Sequence, residues 1–288
     1  MQLLFEQLLN GLAIGSIYAL ITLGLALVYG ILRILHVAHA AVYTVGAYLG
    51  VWLYGLTGTL WVAIPGSMVL CALLGVAIER FIYFPLLKFP PYVPLISSIA
   101  LFMGLEELCR IVAGPDILTF PADLPFPAMN IGGVAISPTL TAVYVVTAAV
   151  LLFLWFITTK TEFGLAMRAA SQDMEVASSL GVDSQRVVDA TFFIGSAIAA
   201  IAGILVGIYY NQVYPTMGAV PAYKTLALIV IGGMGSAQGA VLAAILLGLA
   251  ETLLIGFANI PMPRDALAFI AMIIVLMWKP TGLLGRRK

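Results

Sequence analysis

Apolar runs, each long enough for a membrane-spanning helix, follow one another along nearly the whole chain of 288 residues. Such a helix needs about 20 mostly apolar residues to cross roughly 30 Å of hydrocarbon. Hydrophobic residues make up 62% of the sequence and charged residues only 9%, which would leave large apolar patches on a water-soluble domain. The runs therefore predict a polytopic membrane protein, folded as a single transmembrane domain over 1–288.

The runs are continuous and rich in Leu, Ala and Ile, which favours helices over the roughly ten-residue alternating segments of a membrane β-barrel. We predict an all-α fold of about 8–10 transmembrane helices. The candidate spans lie near 8–31, 38–55, 59–78, 95–113, 139–157, 188–210, 223–236, 238–257 and 266–278.

Basic residues in the connecting segments predict which helix ends share a side of the membrane. The link 114–138 contains Asp116, Asp123 and no Lys or Arg, so we place it on the outer side. The residues assigned to the inner side are Arg33, Arg80, Lys88, Lys160, Arg168, Arg186, Lys279, Arg286, Arg287 and Lys288. This arrangement puts the N-terminus outside and leaves Lys224 and Arg264 near the outer face, against the rule.

The longest polar stretch, about 158–187, is predicted to be a cytoplasmic coupling loop that receives force from another protein. Glu175, Ala177 and Gly181 have the spacing of a short amphipathic helix that ends at glycine, and Asp173 suits its positive end. Ala177 is expected on the narrow side of this helix, which would seat in a partner's groove. A merely solvated loop is the alternative. The residues assigned to coupling are Asp173, Glu175, Ala177, Leu180 and Gly181.

Segment 14–30 aligns with 194–210 through a shared Ile-Gly-Ser and further matches at a constant offset. On the predicted orientation the two segments run in opposite directions, as an inverted transporter repeat requires. Chance similarity in a sequence of low diversity is the alternative. Glycines four apart, such as Gly11 and Gly15 or Gly46 and Gly50, predict close helix packing.

Charged side chains inside apolar spans need a partner, a watery cavity or an interface. Arg110 can pair with Glu106 or Glu107 on its own helix. Glu79 is expected at a solvated or headgroup position together with Arg80. Glu251 has two interpretations, an interhelical hydrogen bond and a role in gating or partner contact.

His36 and His39 lie three residues apart, but no Cys, Asp or Glu stands nearby at ligand spacing, so no metal site is predicted. The glycine-rich run 232–239 predicts either a tight cytoplasmic turn or an unwound segment near the solute pathway. The residues assigned to a pathway or gate are His39, Gly232, Gly233, Gly235 and Glu251.

The sequence contains no Ser/His/Asp set, no H-E-x-x-H motif and no phosphate-binding glycine loop followed by Lys-Ser/Thr. The chain is therefore not expected to be an enzyme or to bind a cofactor. A formal net charge of zero gives no reason to expect a nucleic-acid partner. Energy would come from a partner polypeptide or an ion gradient, and the polar loop favours a partner. A scaffold subunit that moves no solute is a third alternative.

Several motifs carry a resemblance to known proteins. Glu175, Ala177 and Gly181 resemble the E-A-A-x-x-x-G loop of ATP-binding-cassette (ABC) importer permeases, with Val176 in place of the first alanine. The likeness to the LivH-type permease of branched-chain amino acid importers covers nearly the whole chain. Its segments are Asn10-Gly11-Leu12, 15–20, Gly164, Met167-Arg168-Ala169, Thr191-Phe192, 232–236, Gly239-Ala240 and 280–285. In 36–41 only Ala38 and His39 match the family's run.

This resemblance implies a permease for leucine, isoleucine or valine in the bacterial cytoplasmic (inner) membrane. Its implied partners are a second related permease, two ATPase subunits that bind the ATP, and an extracytoplasmic substrate-binding protein. ATP-driven closure would move residues 173–181. Related permeases handle urea, amides and other amino acids, so these substrates stay open as alternatives.

Overall fold

The computed structural model describes residues 2–131, 134–258 and 263–285, and within them twelve α-helices and one β-hairpin. The helices are α1 Gln2–Leu32, α2 His39–Thr57, α3 Leu60–Ile78, α4 Phe84–Leu86, α5 Tyr92–Ala113, α6 Pro138–Lys160, α7 Glu162–Gln172, α8 Met174–Ser179, α9 Ser184–Tyr210, α10 Ala219–Gly232, α11 Ala237–Ala258 and α12 Arg264–Trp278. The hairpin pairs β1 Met129–Ile131 with β2 Val134–Ile136. A π-helical turn, Glu79–Tyr83, joins α3 to α4, and a 3-10 turn, Pro215–Gly218, precedes α10.

The described residues contain seven helical stretches that are long and apolar enough to cross a membrane. Each of the nine predicted spans coincides with a helix, and α5 and α12 are the two spans outside the seven. α12 offers only the shorter apolar stretch Asp265–Trp278. The prediction of an all-α polytopic membrane protein is confirmed.

Local sequence signals set several helix ends. The side chains of Thr59, Ser137 and Thr161 each accept a hydrogen bond from a backbone N–H in the first turn of α3, α6 and α7. These bonds satisfy N–H groups that have no partner within the helix. At the other end of α2, Gly58 adopts φ +67, a left-handed conformation that glycine takes without a side-chain clash.

Helix packing agrees with the predicted inverted repeat. We call α1–α5 the first half and α9–α12 the second half. α1 packs along α11 and α9 packs along α3, so the first helix of each half packs on the third helix of the other. α2 packs on α5, and α10 packs correspondingly on α12. At the contact between α1 and α9, Gly24 lies against Gly195, where a Cβ on Gly24 would come within 2.9 Å of the Gly195 carbonyl oxygen. The aligned segments 14–30 and 194–210 therefore belong to two helices that contact each other.

Small residues provide the close approaches, as predicted. A Cβ on Gly15 would stand 2.8 Å from the Cα of Ile245 in α11, and one on Gly46 would stand 2.4 Å from the Cα of Ala200 in α9. Such notches let helix backbones approach where apolar side chains alone give little driving force.

Two segments turn back into the interior of the bundle. The first re-entrant segment, residues 33–38, follows α1, and the second, residues 211–218, follows α9. His39, directly after the first, has its ring against Gly24, about two turns before the end of α1. Gly218, at the end of the second, packs against the backbone of Ala40. α2 and α10 therefore start inside the protein.

The two ends of the bundle differ as the basic residues predicted. At one end the Arg33 guanidinium donates to the Gln172 carbonyl, and the Tyr29 hydroxyl contacts Met234 Sδ at 3.8 Å. This end, which we call the basic end, therefore includes the 158–187 loop and the turn after α10. At the other end, Leu118 and Val213 pair through their backbones. The predicted inner-side residues Arg286, Arg287 and Lys288 lie outside the described residues, as does the side chain of Arg264.

Candidate functional site

The coupling loop contains a short helix with a defined start and stop. Asp173 precedes α8 and its Oδ1 accepts hydrogen bonds from the N–H groups of Glu175 and Val176, each at 3.0 Å. Gly181 follows α8 with φ +92 and donates its N–H to the Ser178 carbonyl. The next amide, Val182, donates to the Ala177 carbonyl. These two bonds form the glycine stop that the sequence predicted.

The exposed face of α8 differs in one respect from the predicted one. Glu175, Leu180 and Gly181 are exposed, and Leu180 keeps 79% of its surface accessible. Ala177, in contrast, is 2% exposed and packs inward, so the expectation that it faces a partner is wrong. Val176, which the sequence singled out only as a departure from the motif, is 54% exposed. It lies four residues before Leu180, the spacing that places two side chains on one helical face.

Hydrogen bonds connect α8 to the start of α9. The hydroxyls of Ser178 and Ser184 are 2.7 Å apart, and Ser184 also reaches the Met174 carbonyl. Arg168 in α7 donates to the Thr158 carbonyl. The short helix is thus held against the start of α9.

Next to the loop, α9 meets the π-helical turn through polar side chains. Gln185 Nε2 lies 3.2 Å from each carboxylate oxygen of Glu79, and Arg80 donates through two nitrogens to the carboxylate of Asp189. Glu79 has no exposed surface, so its predicted solvated or headgroup position is wrong. Gln185, on the neighbouring helix, supplies the donor that makes this burial tolerable.

A second polar cluster holds the first re-entrant segment. His36 Nδ1 lies 2.7 Å from the Tyr83 hydroxyl, and the backbone N–H of Ala38 donates to Ser98 Oγ at 3.0 Å. His36 and Tyr83 are both fully buried. His39, the predicted pathway or gate residue, is 1% exposed, and its ring centroid lies 5.7 Å from that of His36. Nothing in the sequence points to Tyr83, because one tyrosine among apolar residues does not indicate its partner.

The third cluster surrounds Lys224, which is 2% exposed. Its ammonium lies 2.9 Å from Glu251 Oε1 and 3.0 Å from Asp265 Oδ1, and it donates to the Tyr18 hydroxyl. Tyr18 in turn donates to Glu251 Oε2. The interhelical interpretation of Glu251 is confirmed, and the outer-face position expected for Lys224 is wrong. A lone lysine within a span needs a carboxylate, so the sequence did contain a signal for this pair.

The glycine-rich run forms a tight turn between α10 and α11 at the basic end. Gly233 and Gly235 adopt φ +105 and +86, conformations open to glycine. Gly232 packs directly on Gly239, and the amides of Leu283 and Leu284 donate to the carbonyls of Ile231 and Gly232. Of the two predicted forms, the structure has the turn, with the segment after α12 packed upon it.

On the face away from the basic end, a cavity of about 620 Å³ opens beside the second re-entrant segment. Its lining includes Arg110, Gln212, Tyr214 and Thr216. Arg110 is paired with Glu107 at 3.0 Å and Glu106 at 4.0 Å, which confirms the predicted ion pair.

Comparison with known proteins identifies the family. A family model described as "Branched-chain amino acid transport system / permease component" matches residues 7–277. The chain is 34% identical to the high-affinity branched-chain amino acid transport system permease protein BraD of Pseudomonas aeruginosa, over 98% of this chain and 95% of that protein. It is 33% identical to the corresponding LivH protein of Escherichia coli, with the same coverage of both chains.

A further relative is the permease protein LivM of Escherichia coli, 26% identical over 93% of this chain and 68% of that protein. The matches to BraD and LivH span almost the full length of both partners, so they include the re-entrant segments, the coupling loop and the interior clusters alike. This multi-pass membrane protein belongs to the family of branched-chain amino acid transport system permease components.

Proposed function

We propose that the chain is the permease subunit of an ATP-driven importer of branched-chain amino acids in the bacterial cytoplasmic membrane. The observation that carries this proposal is α8, a capped helix at the basic end that exposes Val176 and Leu180. Exposed apolar side chains outside the spans favour a protein partner. Family membership and the names of BraD and LivH support the substrate class.

The proposal includes four kinds of partner. Two ATP-binding-cassette ATPases bind and hydrolyse the ATP, and one of them binds α8. This chain itself binds no cofactor. A second, related permease completes the passage, and the existence of both LivH and LivM relatives supports a heterodimer. An extracytoplasmic binding protein delivers the amino acid to the end that carries the 620 Å³ cavity.

Affinity purification of the tagged full chain from its native membrane tests the assembly. We expect two ATPases and a second permease to co-purify, and Leu180→Arg to reduce ATPase recovery while the second permease stays bound. Leu56→Arg is the matched control, because Leu56 is 65% exposed at the opposite end of the bundle. Equal ATPase recovery for Leu180→Arg and the wild type would contradict the docking role of α8.

Uptake by the purified assembly in proteoliposomes tests the substrate. Leucine, isoleucine and valine should be taken up with ATP and binding protein, and each should compete with the others. Preferential uptake of urea or an amide would contradict the proposed substrate class and favour that compound as the substrate. Uptake by the chain alone under a proton or sodium gradient would favour a secondary carrier, and no uptake in either format would favour a scaffold subunit.

A further inference from the structure

We propose that the π-helical turn Glu79–Tyr83 is a connecting element through which the coupling loop controls the first re-entrant segment, with Tyr83 as the residue that positions this segment. The inference rests on the proposed function, since it names the route by which movement of α8 reaches the interior. It depends on two contacts, one at each end of the turn, and on the backbone that joins them.

The outer contact joins the turn to the first turns of α9, where the coupling loop ends. Gln185 Nε2 donates to both oxygens of buried Glu79 and also lies 3.1 Å from Asp189 Oδ1. Arg80 holds the same Asp189 through both carboxylate oxygens, a geometry that fixes orientation as well as distance. A shift of the first turns of α9 therefore displaces Glu79 and Arg80 together.

The inner contact joins the turn to the re-entrant segment. The Tyr83 hydroxyl lies 2.7 Å from His36 Nδ1, and the two rings meet edge to face with centroids 5.2 Å apart. Phe192 of α9 packs against both rings, at 5.3 Å from His36 and 5.8 Å from Tyr83. Since His36 and Tyr83 are completely enclosed, neither can move without the other.

The turn between these contacts has an unusual backbone. The Phe84 N–H bonds to the Glu79 carbonyl, five residues back, instead of four as in an α-helix. Pro85 follows, which supplies no N–H and crowds the carbonyl four residues before it. Single π-helical turns are rare and are found mostly at functional sites. This one carries a surface contact and an interior contact on the same five residues.

Three hydrogen bonds that involve a side chain join the first re-entrant segment to other elements in the described residues. Arg33, at its start, adopts φ +55 and reaches the coupling loop at the Gln172 carbonyl. Ala38, at its end, bonds to Ser98. Between these two residues, His36 makes the third hydrogen bond, to the Tyr83 hydroxyl. Movement of Tyr83 therefore acts at the middle of the segment.

Hydrogen–deuterium exchange on the purified full chain tests the route without any transport measurement. We compare Gln185→Ala, Tyr83→Phe and the control Tyr144→Phe, whose hydroxyl donates to the Leu9 carbonyl away from the route. Both route variants should raise exchange in a peptide covering 34–42 by at least about fivefold, a modest coupling between sites. Tyr144→Phe should leave this peptide unchanged.

Gln185 does not contact the segment, so its replacement can change exchange at 34–42 only through the turn. Unchanged exchange at 34–42 in Gln185→Ala would therefore overturn the route. An equal rise in Tyr144→Phe would also overturn it, since the effect would then be general loosening. The double variant of Gln185 and Tyr83 should exchange no faster than the stronger single variant, since both act on one path.

In the complete assembly, Tyr83→Phe should keep ATP hydrolysis and reduce the amino acid moved per ATP by about fivefold. A normal ratio would count against the role of Tyr83 while leaving the proposed function intact. Failure of the wild-type assembly to transport would count against the proposed function, and the exchange result would still decide whether the route exists.

Discussion

The two halves of the repeat hold their interior helices by different chemistry. In the first half, hydroxyl and imidazole groups hold the re-entrant segment, through Tyr83 and Ser98. In the second half, an ammonium and two carboxylates hold α10, through Lys224, Glu251 and Asp265. The two halves therefore differ in the charge of the groups that hold these two interior elements.

This difference has an energetic consequence. Breaking a buried ion pair by removing one partner costs about 3–5 kcal/mol, because a charge stays behind without compensation. A hydrogen bond between neutral groups contributes about 0.5–1.5 kcal/mol. The first half is therefore the easier one to rearrange, and it is also the half whose π-helical turn contacts the start of α9 beside the coupling loop.

The largest expected effect is that of Lys224→Met on stability. The substitution leaves the carboxylates of Glu251 and Asp265 without the ammonium that pairs with both, and we expect a loss of about 3–5 kcal/mol. Thermal unfolding of the detergent-solubilised chain measures this loss. Lys88→Met, which removes an exposed ammonium, is the control. Equal unfolding temperatures for Lys224→Met and the wild type would remove the basis of the comparison.

The same deletion of one hydroxyl in each half gives the sharpest contrast. Tyr18→Phe removes a group bonded to two charged side chains, Lys224 and Glu251, so we expect a loss of about 1.5–3 kcal/mol. Tyr83→Phe removes a bond to an imidazole and should cost about 0.5–1.5 kcal/mol. Denaturant unfolding in matched detergent ranks the two. The reverse order would show that burial, and not charge, distinguishes the halves.

Gly181→Val tests the glycine stop beside the first half. No atom lies within 4 Å of the Cβ position, so the cost of about 1–2 kcal/mol arises from the left-handed backbone alone. The strain should loosen α8, raise exchange over 174–182 and lower ATPase recovery. Gly55→Val also meets open space but in a helical backbone, and it should leave both measurements unchanged. Unchanged exchange over 174–182 in Gly181→Val would contradict the role of Gly181 in ending α8.

The smallest effect belongs to Arg110→Gln. The guanidinium is 43% exposed and pairs with carboxylates on its own helix, an arrangement that contributes no more than about 0.5 kcal/mol. Thermal unfolding should therefore match the wild type closely. A loss as large as that of Lys224→Met would mean that exposed and buried pairs contribute equally in this protein.

Several features followed from local sequence alone. The nine spans matched helices because apolar length and helix geometry together fix what can cross a membrane. The stop at Gly181 and the place of Asp173 at the start of α8 also matched, since each depends on neighbours within a few residues. The inward position of Ala177 did not follow, because it depends on which face of α8 the rest of the loop covers.

The sequence by itself determined an all-α membrane protein, the approximate places of its helices, the glycine stop at Gly181 and the resemblance to its family. Only the tertiary structure decided that Glu79 is buried against Gln185, that Lys224 is neutralised by Glu251 and Asp265, and that Tyr83 meets His36. Helix formation depends on residues close in sequence, whereas these pairs join residues from different helices and segments. Their partners become known only when the chain brings those elements together.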